Sequence, residues 1–302
     1  MKNYFYTFIL VIFIFTSCNT AKVDASKSKI GDSKDVHVVL LAGQSNMQGA
    51  GNFDNLNASE IERIEKVSSR VSLSFNGGKV EPLSYYDNKP SEKYEFTKRF
   101  GPEIFIGLTL AENNPNQEFL LIKRSQGGTA LYGAWNPNWT AEKAKAVEKE
   151  KKQKIQLYNL HIQDIKENLK ALETQNKTYK IIGLAWMQGE NDAAKEISAT
   201  TYEENLKILI KSYRDEFGII NMPFVIGQIN SRYGKYKAKG PAMVRKAMED
   251  VANSDKNVDI VKTTTDTSWS DYPKHMDNVH YNAEGQKRLG KAFGEKLIIL
   301  NK

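Results

Sequence analysis

The sequence has one cysteine in 302 residues. That excludes an internal disulfide framework and any cysteine-built zinc cluster. Histidine is almost as scarce, with only His37, His161, His275 and His280, which makes metal-ligand constellations scarce; no metal or other cofactor is among the expectations for this chain. Eight prolines and 20 glycines are too few for a collagenous or low-complexity chain. The longest unbroken apolar run, Phe8 to Phe15, is far shorter than the about 20 residues a bilayer core demands. Basic residues exceed acidic ones, for a net charge of +7. The lysines are densest between Glu142 and Lys154, where they alternate with glutamate and no aromatic is interleaved to stack on bases. That pattern reads as a solvated helix face, so no nucleic-acid partner is expected. What remains is a chain that is 40% hydrophobic, enough for one sizeable core.

The first residues differ from all that follow. Lys2 gives a thin positive start, the apolar run follows, and Thr16-Ser17 lead to Cys18. This fits a secretory signal over residues 1–17. The Phe15-Thr16-Ser17-Cys18 junction resembles a bacterial lipobox, with Phe15 departing from the usual leucine. The resemblance implies that Cys18 is acylated and becomes the mature N-terminus. Residues 18–35 are polar and rich in Ser and Lys, as a flexible tether would be. The expectation is an exported protein, held at a bacterial membrane only through its lipid, with one domain over residues 36–302.

Within that domain, Val36–Ala42, Phe119–Ile122, Ile181–Met187, Phe224–Ile229 and Val258–Val261 are short, continuously apolar runs. Such runs suit strands buried on both faces of a parallel sheet. Helix-like segments separate them: Pro102 to Asn113, one long stretch from Thr140 to about Glu173, Tyr202–Phe217, Ala242–Ala252 and Glu284–Leu300. The alternation predicts an α/β fold, a three-layer αβα sandwich around a doubly wound, mostly parallel sheet. Reactive groups should then lie just after each strand.

Four loops there carry candidate chemistry. Gly43-Gln44-Ser45-Asn46-Met47 places Ser45 as a nucleophile would be placed, although Gly-x-Ser alone is more often a turn or a helix cap. The Gly127-Gly128 pair could bring backbone N–H groups close to a ligand. Gln188-Gly189-Glu190-Asn191-Asp192 sets two amides beside an apolar strand. Asp277-Asn278-Val279-His280 can fold so that the carboxylate holds one imidazole nitrogen and leaves the other to take a proton. Each loop is unremarkable alone; their order along the strands is not.

Together with Arg99-Phe100-Gly101-Pro102-Glu103, Gly127-Gly128-Thr129-Ala130-Leu131 and Trp135-Asn136-Pro137, these blocks resemble the SGNH hydrolases. More narrowly, the chain is similar to their carbohydrate acetylesterase branch, the sialate O-acetylesterase and acetyl xylan esterase relatives, from about Val36 to Gly290. The resemblance implies a serine esterase that removes O-acetyl groups from a carbohydrate through an acetyl-enzyme. Ser45 would be the nucleophile, His280 the base and then acid, and Asp277 its orienting partner. The oxyanion hole would comprise the Ser45 N–H, a Gly127 or Gly128 N–H and the Gln188 side chain. Asn191 competes for that last role, because Gly189-Glu190-Asn191-Asp192 also fits the wider Gly-x-Asn-Asp pattern. Gln44, Asn46, Glu190 and Trp135 are the expected substrate contacts. Trp139 and Trp269 are further candidates for stacking on a sugar, although a core role is commoner for tryptophan. Met187 stands where relatives often carry histidine. Two alternatives stay open: the same fold acting on another acyl ester, such as peptidoglycan O-acetyl or a lipid ester, and a glycan-binding lipoprotein without catalysis.

Overall fold

The computed structural model describes Met1 and residues 34–231, 239–263 and 270–302. The signal-like segment, Cys18, most of the tether and Trp269 lie outside the described residues. In chain order the elements are β1 (Val36–Gly43), α1 (Ser45–Gln48), β2 (Gly51–Asn52), α2 (Ala58–Ser68), β3 (Val71–Phe75), β4 (Val80–Pro82), β5 (Tyr86–Asp87), β6 (Lys98–Phe100), α3 (Glu103–Asn113) and β7 (Phe119–Ser125). There follow α4 (Ala141–Val147), α5 (Leu157–Thr174), β8 (Tyr179–Met187), α6 (Glu190–Ala193), α7 (Glu196–Thr200), α8 (Tyr202–Phe217), β9 (Phe224–Gly227), α9 (Lys239–Ser254), β10 (Val258–Val261) and α10 (Ala283–Leu300).

Seven strands form the main sheet in the order β10-β9-β8-β1-β7-β3-β4. All neighbours in it are parallel except β3 and β4, which form an antiparallel edge. β1 is buried along its whole length because its side chains feed two cores by alternation. Val38, Leu40 and Ala42 join the core shared with α5, α8 and α9. Val39 and Leu41 join the other, shared with α2, α3 and α10. The three-layer sandwich expected from the alternating runs is therefore the observed fold. The chain fills one side of β1 with β3, β4 and then β7, and crosses to the other side for β8, β9 and β10, so the crevice where the direction reverses opens at the carboxyl ends of β1 and β8. No helix among the described residues is long and apolar enough to cross a membrane.

Three features depart from the sequence reading. The single long helix expected from Thr140 to Glu173 is two helices. Thr140 caps α4 through Lys143 N, but the helix stops at Val147, and a 3-10 turn at Glu150–Lys152 precedes α5. The cause is Glu148, a good helix former by propensity. Its carboxylate Oε1 accepts from the N–H groups of Ala130 (2.7 Å) and Ala134 (3.0 Å), which are buried and would otherwise go unpaired. The second departure is β3, whose apolar residues alternate with serines and which was not anticipated; neither was α2, although it carries a full Asn57–Glu60 capping box. The third is a small sheet, β2-β6-β5, packed beside the carboxyl end of β1.

Candidate active site

Ser45 begins α1 immediately after β1, at the reversal point of the sheet. The turn into it is fixed by Gln44 N donating to Met187 O (3.0 Å) and by Gln126 N donating to Gly43 O (3.2 Å). Those bonds tie β1 to the ends of both neighbours. At the other end of α1 the Gln48 carbonyl accepts from Tyr86 Oη (2.8 Å) and Lys123 Nζ (3.0 Å). Lys123 is wholly buried, and its charge is met by Glu103 at 2.6 Å. Glu103 also accepts from Gly101 N (2.8 Å), so the matching Gly101-Pro102-Glu103 block serves to seat α1.

The side chain next to the serine does the most to assemble the site. Asn46 Nδ2 donates to Val279 O (3.0 Å) and to Glu190 Oε1 (2.6 Å), while its Oδ1 accepts from Tyr281 N (3.1 Å). Val279 and Tyr281 flank His280. One amide therefore joins the serine loop, the loop after β8 and the histidine loop. Sequence analysis assigned Asn46, Gln44 and Glu190 to substrate contact, and burial corrects this. Each is at most 3% exposed, and Asn46 Nδ2 and Oδ1, Gln44 Oε1 and Glu190 Oε1 are engaged between loops, while Glu190 Oε2 is enclosed without a partner among the described residues. Gln44 Oε1, for example, accepts from Gln188 Nε2 (3.2 Å) and Asn191 N (3.4 Å). Trp135 is corrected in the same way. It is fully buried, edge-on to Trp186 at 5.2 Å, and cannot stack on a sugar. Trp139 is half-buried with its indole N–H enclosed.

Asp277 and His280 form the expected pair. Asp277 Oδ1 accepts from the N–H groups of Val279 (2.9 Å) and His280 (3.0 Å), and Oδ2 lies 2.7 Å from His280 Nδ1. Asn278, between them, takes the left-handed backbone conformation that closes so tight a turn (φ 55°). Burial pushes the Asp277 carboxyl up, but the two N–H groups, the imidazole and Lys93 outweigh it and hold the carboxyl well below the usual range. It is therefore an ionised acceptor, which assigns the proton to Nδ1 and leaves the Nε2 lone pair available. Burial holds the His280 imidazole below the usual histidine value; Asp277 works against this, and the cations of Lys93 and Arg99 add to it.

Lys93 is the residue that sequence reasoning missed. It sits on the hairpin between β5 and β6, with Nζ 3.0 Å from Asp277 Oδ2 and 3.1 Å from His280 Nδ1. Its neighbour Tyr94 packs edge-on to His280 at 6.4 Å and carries the Arg99 guanidinium 4.8 Å from its ring centre. Nothing in the aperiodic stretch Ser91 to Phe96 signals that role, because contact with Asp277 depends on the small sheet.

The glycine pair lies against the serine. A Cβ at Gly127 would stand 3.3 Å from Ser45 Cβ, and Gly128 has φ 63°, which a side chain would strain. Among the described residues, no group accepts from the N–H of Ser45, Gly127 or Gly128. The Gln188 side chain, expected beside them, is enclosed. Its Nε2 donates to Thr129 O (3.1 Å), Gln44 Oε1 and Asp192 Oδ2, and its Oε1 accepts from Tyr202 Oη (3.2 Å). With both amide hydrogens committed, Gln188 does not present a donor to a ligand. Asp192 in turn accepts from Leu131 N (2.8 Å) and Tyr132 N (3.0 Å), holding the segment after the glycines. Burial raises its carboxyl to about 7 against those donors.

A parallel αβα sandwich that gathers a strand-end serine, a glycine pair and an Asp–His couple at its reversal point defines a hydrolase of the SGNH class. The family model described as carbohydrate esterase, sialic acid-specific acetylesterase, matches residues 35–299, and the chain belongs to that family. It is a carboxylic ester hydrolase of the carbohydrate esterase kind. No curated protein matches its sequence. Among solved structures, a protein from Arabidopsis thaliana is similar at 20% identity and a TM-score of 0.65, over 88% of this chain and 98% of that one. A carbohydrate acetylesterase from Xanthomonas citri is similar at 17% identity and a TM-score of 0.57, over 86% of this chain but 55% of its own. NanS is similar at 15% identity and the same TM-score, over 89% of this chain and 97% of that one. At these identities the structures speak to the fold.

Proposed function

We propose that the protein is an O-acetylesterase acting on acetylated carbohydrate, with Ser45, His280 and Asp277 as its catalytic residues. The observation that carries this is the Asn46 clamp, which joins the serine loop to the two residues flanking a histidine already oriented by an ionised aspartate. Ser45 Oγ attacks the acetyl carbonyl carbon as His280 Nε2 takes its proton. The imidazolium, stabilised by Asp277, then protonates the departing sugar oxygen. Water repeats the steps on the acetyl-serine and releases acetate. The N–H groups of Ser45 and of Gly127 or Gly128 hold the oxyanion. The third donor is the Asn191 amide: it is half-buried at the start of α6 and makes no side-chain hydrogen bond among the described residues, whereas Gln188 is committed. The family description supports a sugar of the sialic acid type as the first substrate to try. We also propose that the protein is exported and anchored through Cys18.

Ser45→Ala is expected to abolish hydrolysis of p-nitrophenyl acetate and to leave the thermal transition in place. Acetate release from acetylated sialic acid, acetylated xylan and acetylated peptidoglycan fragments then identifies the sugar. Full activity in Ser45→Ala would refute the nucleophile.

A further inference from the structure

The lysine-rich segment that reads as a solvated face contains one lysine that is not solvated in that sense. Lys152 ends the 3-10 turn between α4 and α5, and its Nζ donates to two consecutive carbonyls, Gly127 O and Gly128 O, the latter at 3.1 Å. It is also the nearest neighbour that a Cβ on Gly128 would meet, at 3.1 Å. The glycine loop is thus bounded by Ser45 at Gly127 and by an ammonium at Gly128. The lysine lies on the turn that follows the end of α4 at Glu148. Had α4 continued into α5, residue 152 would have followed the helix axis. The same Glu148 fixes Ala130 and Ala134 a few residues beyond the glycines.

The peptide geometry gives the contact a direction. Across a trans peptide the carbonyl and the following N–H point to opposite sides of one plane, and no peptide bond among the described residues is cis. An ammonium on Gly127 O therefore turns the Gly128 N–H away from the lysine, and one on Gly128 O does the same for Thr129 N–H. A charged donor on a carbonyl also polarises the amide, making the N–H on its far side a stronger donor.

We propose that Lys152 is a positioning residue that orients and polarises the Gly127–Gly128 peptide, so that its N–H stabilises the tetrahedral intermediate formed on Ser45. The inference rests on the esterase reading above. The carbonyl of that peptide is held in the free enzyme, so the donor is set before substrate arrives. The benefit is collected only when the acetyl carbonyl oxygen becomes an anion.

The test compares Lys152→Met, Lys152→Gln and Lys152→Arg in the full protein with p-nitrophenyl acetate, below the melting transition of every variant. Removal of a whole oxyanion donor costs on the order of 10²–10³ in turnover, so losing its alignment and polarisation should cost about tenfold in kcat. KM should stay within about twofold. Affinity for phenylboronic acid, which becomes tetrahedral on a reactive serine, should fall by the same factor as kcat, and Lys152→Arg should restore most of both. A purely structural lysine would lower the melting temperature without linking kcat to boronate affinity. Unchanged kcat in folded Lys152→Met or Lys152→Gln overturns the inference, as does reduced kcat with unchanged boronate affinity. Ser45→Ala separates the two levels. If it is inactive while the Lys152 variants are normal, only this inference fails. If Ser45→Ala is active, the esterase reading fails first.

Discussion

At the scale of single residues, the site turns on how two donors share one carboxylate oxygen. His280 Nδ1–H and Lys93 Nζ both converge on Asp277 Oδ2. The ammonium cannot bond to a protonated Nδ1, so its contact with the imidazole is electrostatic and unfavourable to the imidazolium. Catalysis as a base needs neutral His280, and burial together with Lys93 holds its pKa below the ordinary histidine value. The acid limb of kcat/KM should therefore lie below about pH 6.5. Lys93→Met removes a cation that disfavours protonation, so the limb should move upward in pH while the plateau keeps its height. A pH profile of p-nitrophenyl acetate hydrolysis measures this, and a limb that stays put or moves to lower pH would rule out the assigned coupling. Asp277 and His280 were legible in the sequence because the Asp-x-x-His spacing fits a turn and stands in order with the other three loops. Lys93 was not, because its partner is 184 residues away by chain number and only the antiparallel pairing of β5 with β6 delivers it.

At the scale of elements, what matters is which side chains hold the loops and which face the ligand. The sequence motif around β8 and α6 contains both kinds and does not distinguish them. Gln188, Glu190 and Asp192 point into the protein, where Asp192 accepts from the N–H groups of Leu131 and Tyr132, Gln188 donates to the Thr129 carbonyl and Glu190 accepts from the Asn46 amide. Asn191 is left as the half-buried amide of that turn, with no side-chain hydrogen bond among the described residues. The two amides should accordingly fail in different ways. Gln188→Ala leaves the buried Thr129 carbonyl without its donor and takes one of three donors from the buried Asp192 carboxylate, and should cost about 3 kcal/mol of stability, visible in the denaturation midpoint. Asn191→Ala should leave that midpoint within about 0.5 kcal/mol and lower kcat on the order of 10²-fold. The reverse pattern would return the oxyanion role to Gln188. The same competition explains the broken helix between Thr140 and Glu173. Local propensity favoured continuation, and two buried N–H groups at Ala130 and Ala134 outweighed it.

At the scale of the molecule, five of the parallel strands follow from unbroken apolar runs, which is why the sandwich was legible in advance although the order of its strands was not. The edge was not, since the serines of β3 and the short β4 give no such run. β1 is the first of those strands in the chain, yet it lies between β8 and β7 at the centre of the sheet. Its entry is anchored from both sides: Val36 N donates to Thr178 O (2.8 Å), His37 N to Glu118 O (2.9 Å), and the Gln117 amide to Asp35 O. This sets a sharp boundary for what the fold requires. A chain beginning at Lys34 should melt at the same temperature as the full protein and hydrolyse p-nitrophenyl acetate at the same rate. One beginning at Leu40 should not fold, because it lacks half the strand that joins the two halves of the sheet. The residues before Lys34 then answer to location and not to catalysis. If Cys18 is acylated as proposed, the full chain expressed in bacteria should partition with membranes, and Cys18→Ser should release it with undiminished kcat. Mass spectrometry of the mature N-terminus decides the point: an unmodified chain, or one beginning elsewhere, would overturn the assignment of Cys18 as the lipid attachment site.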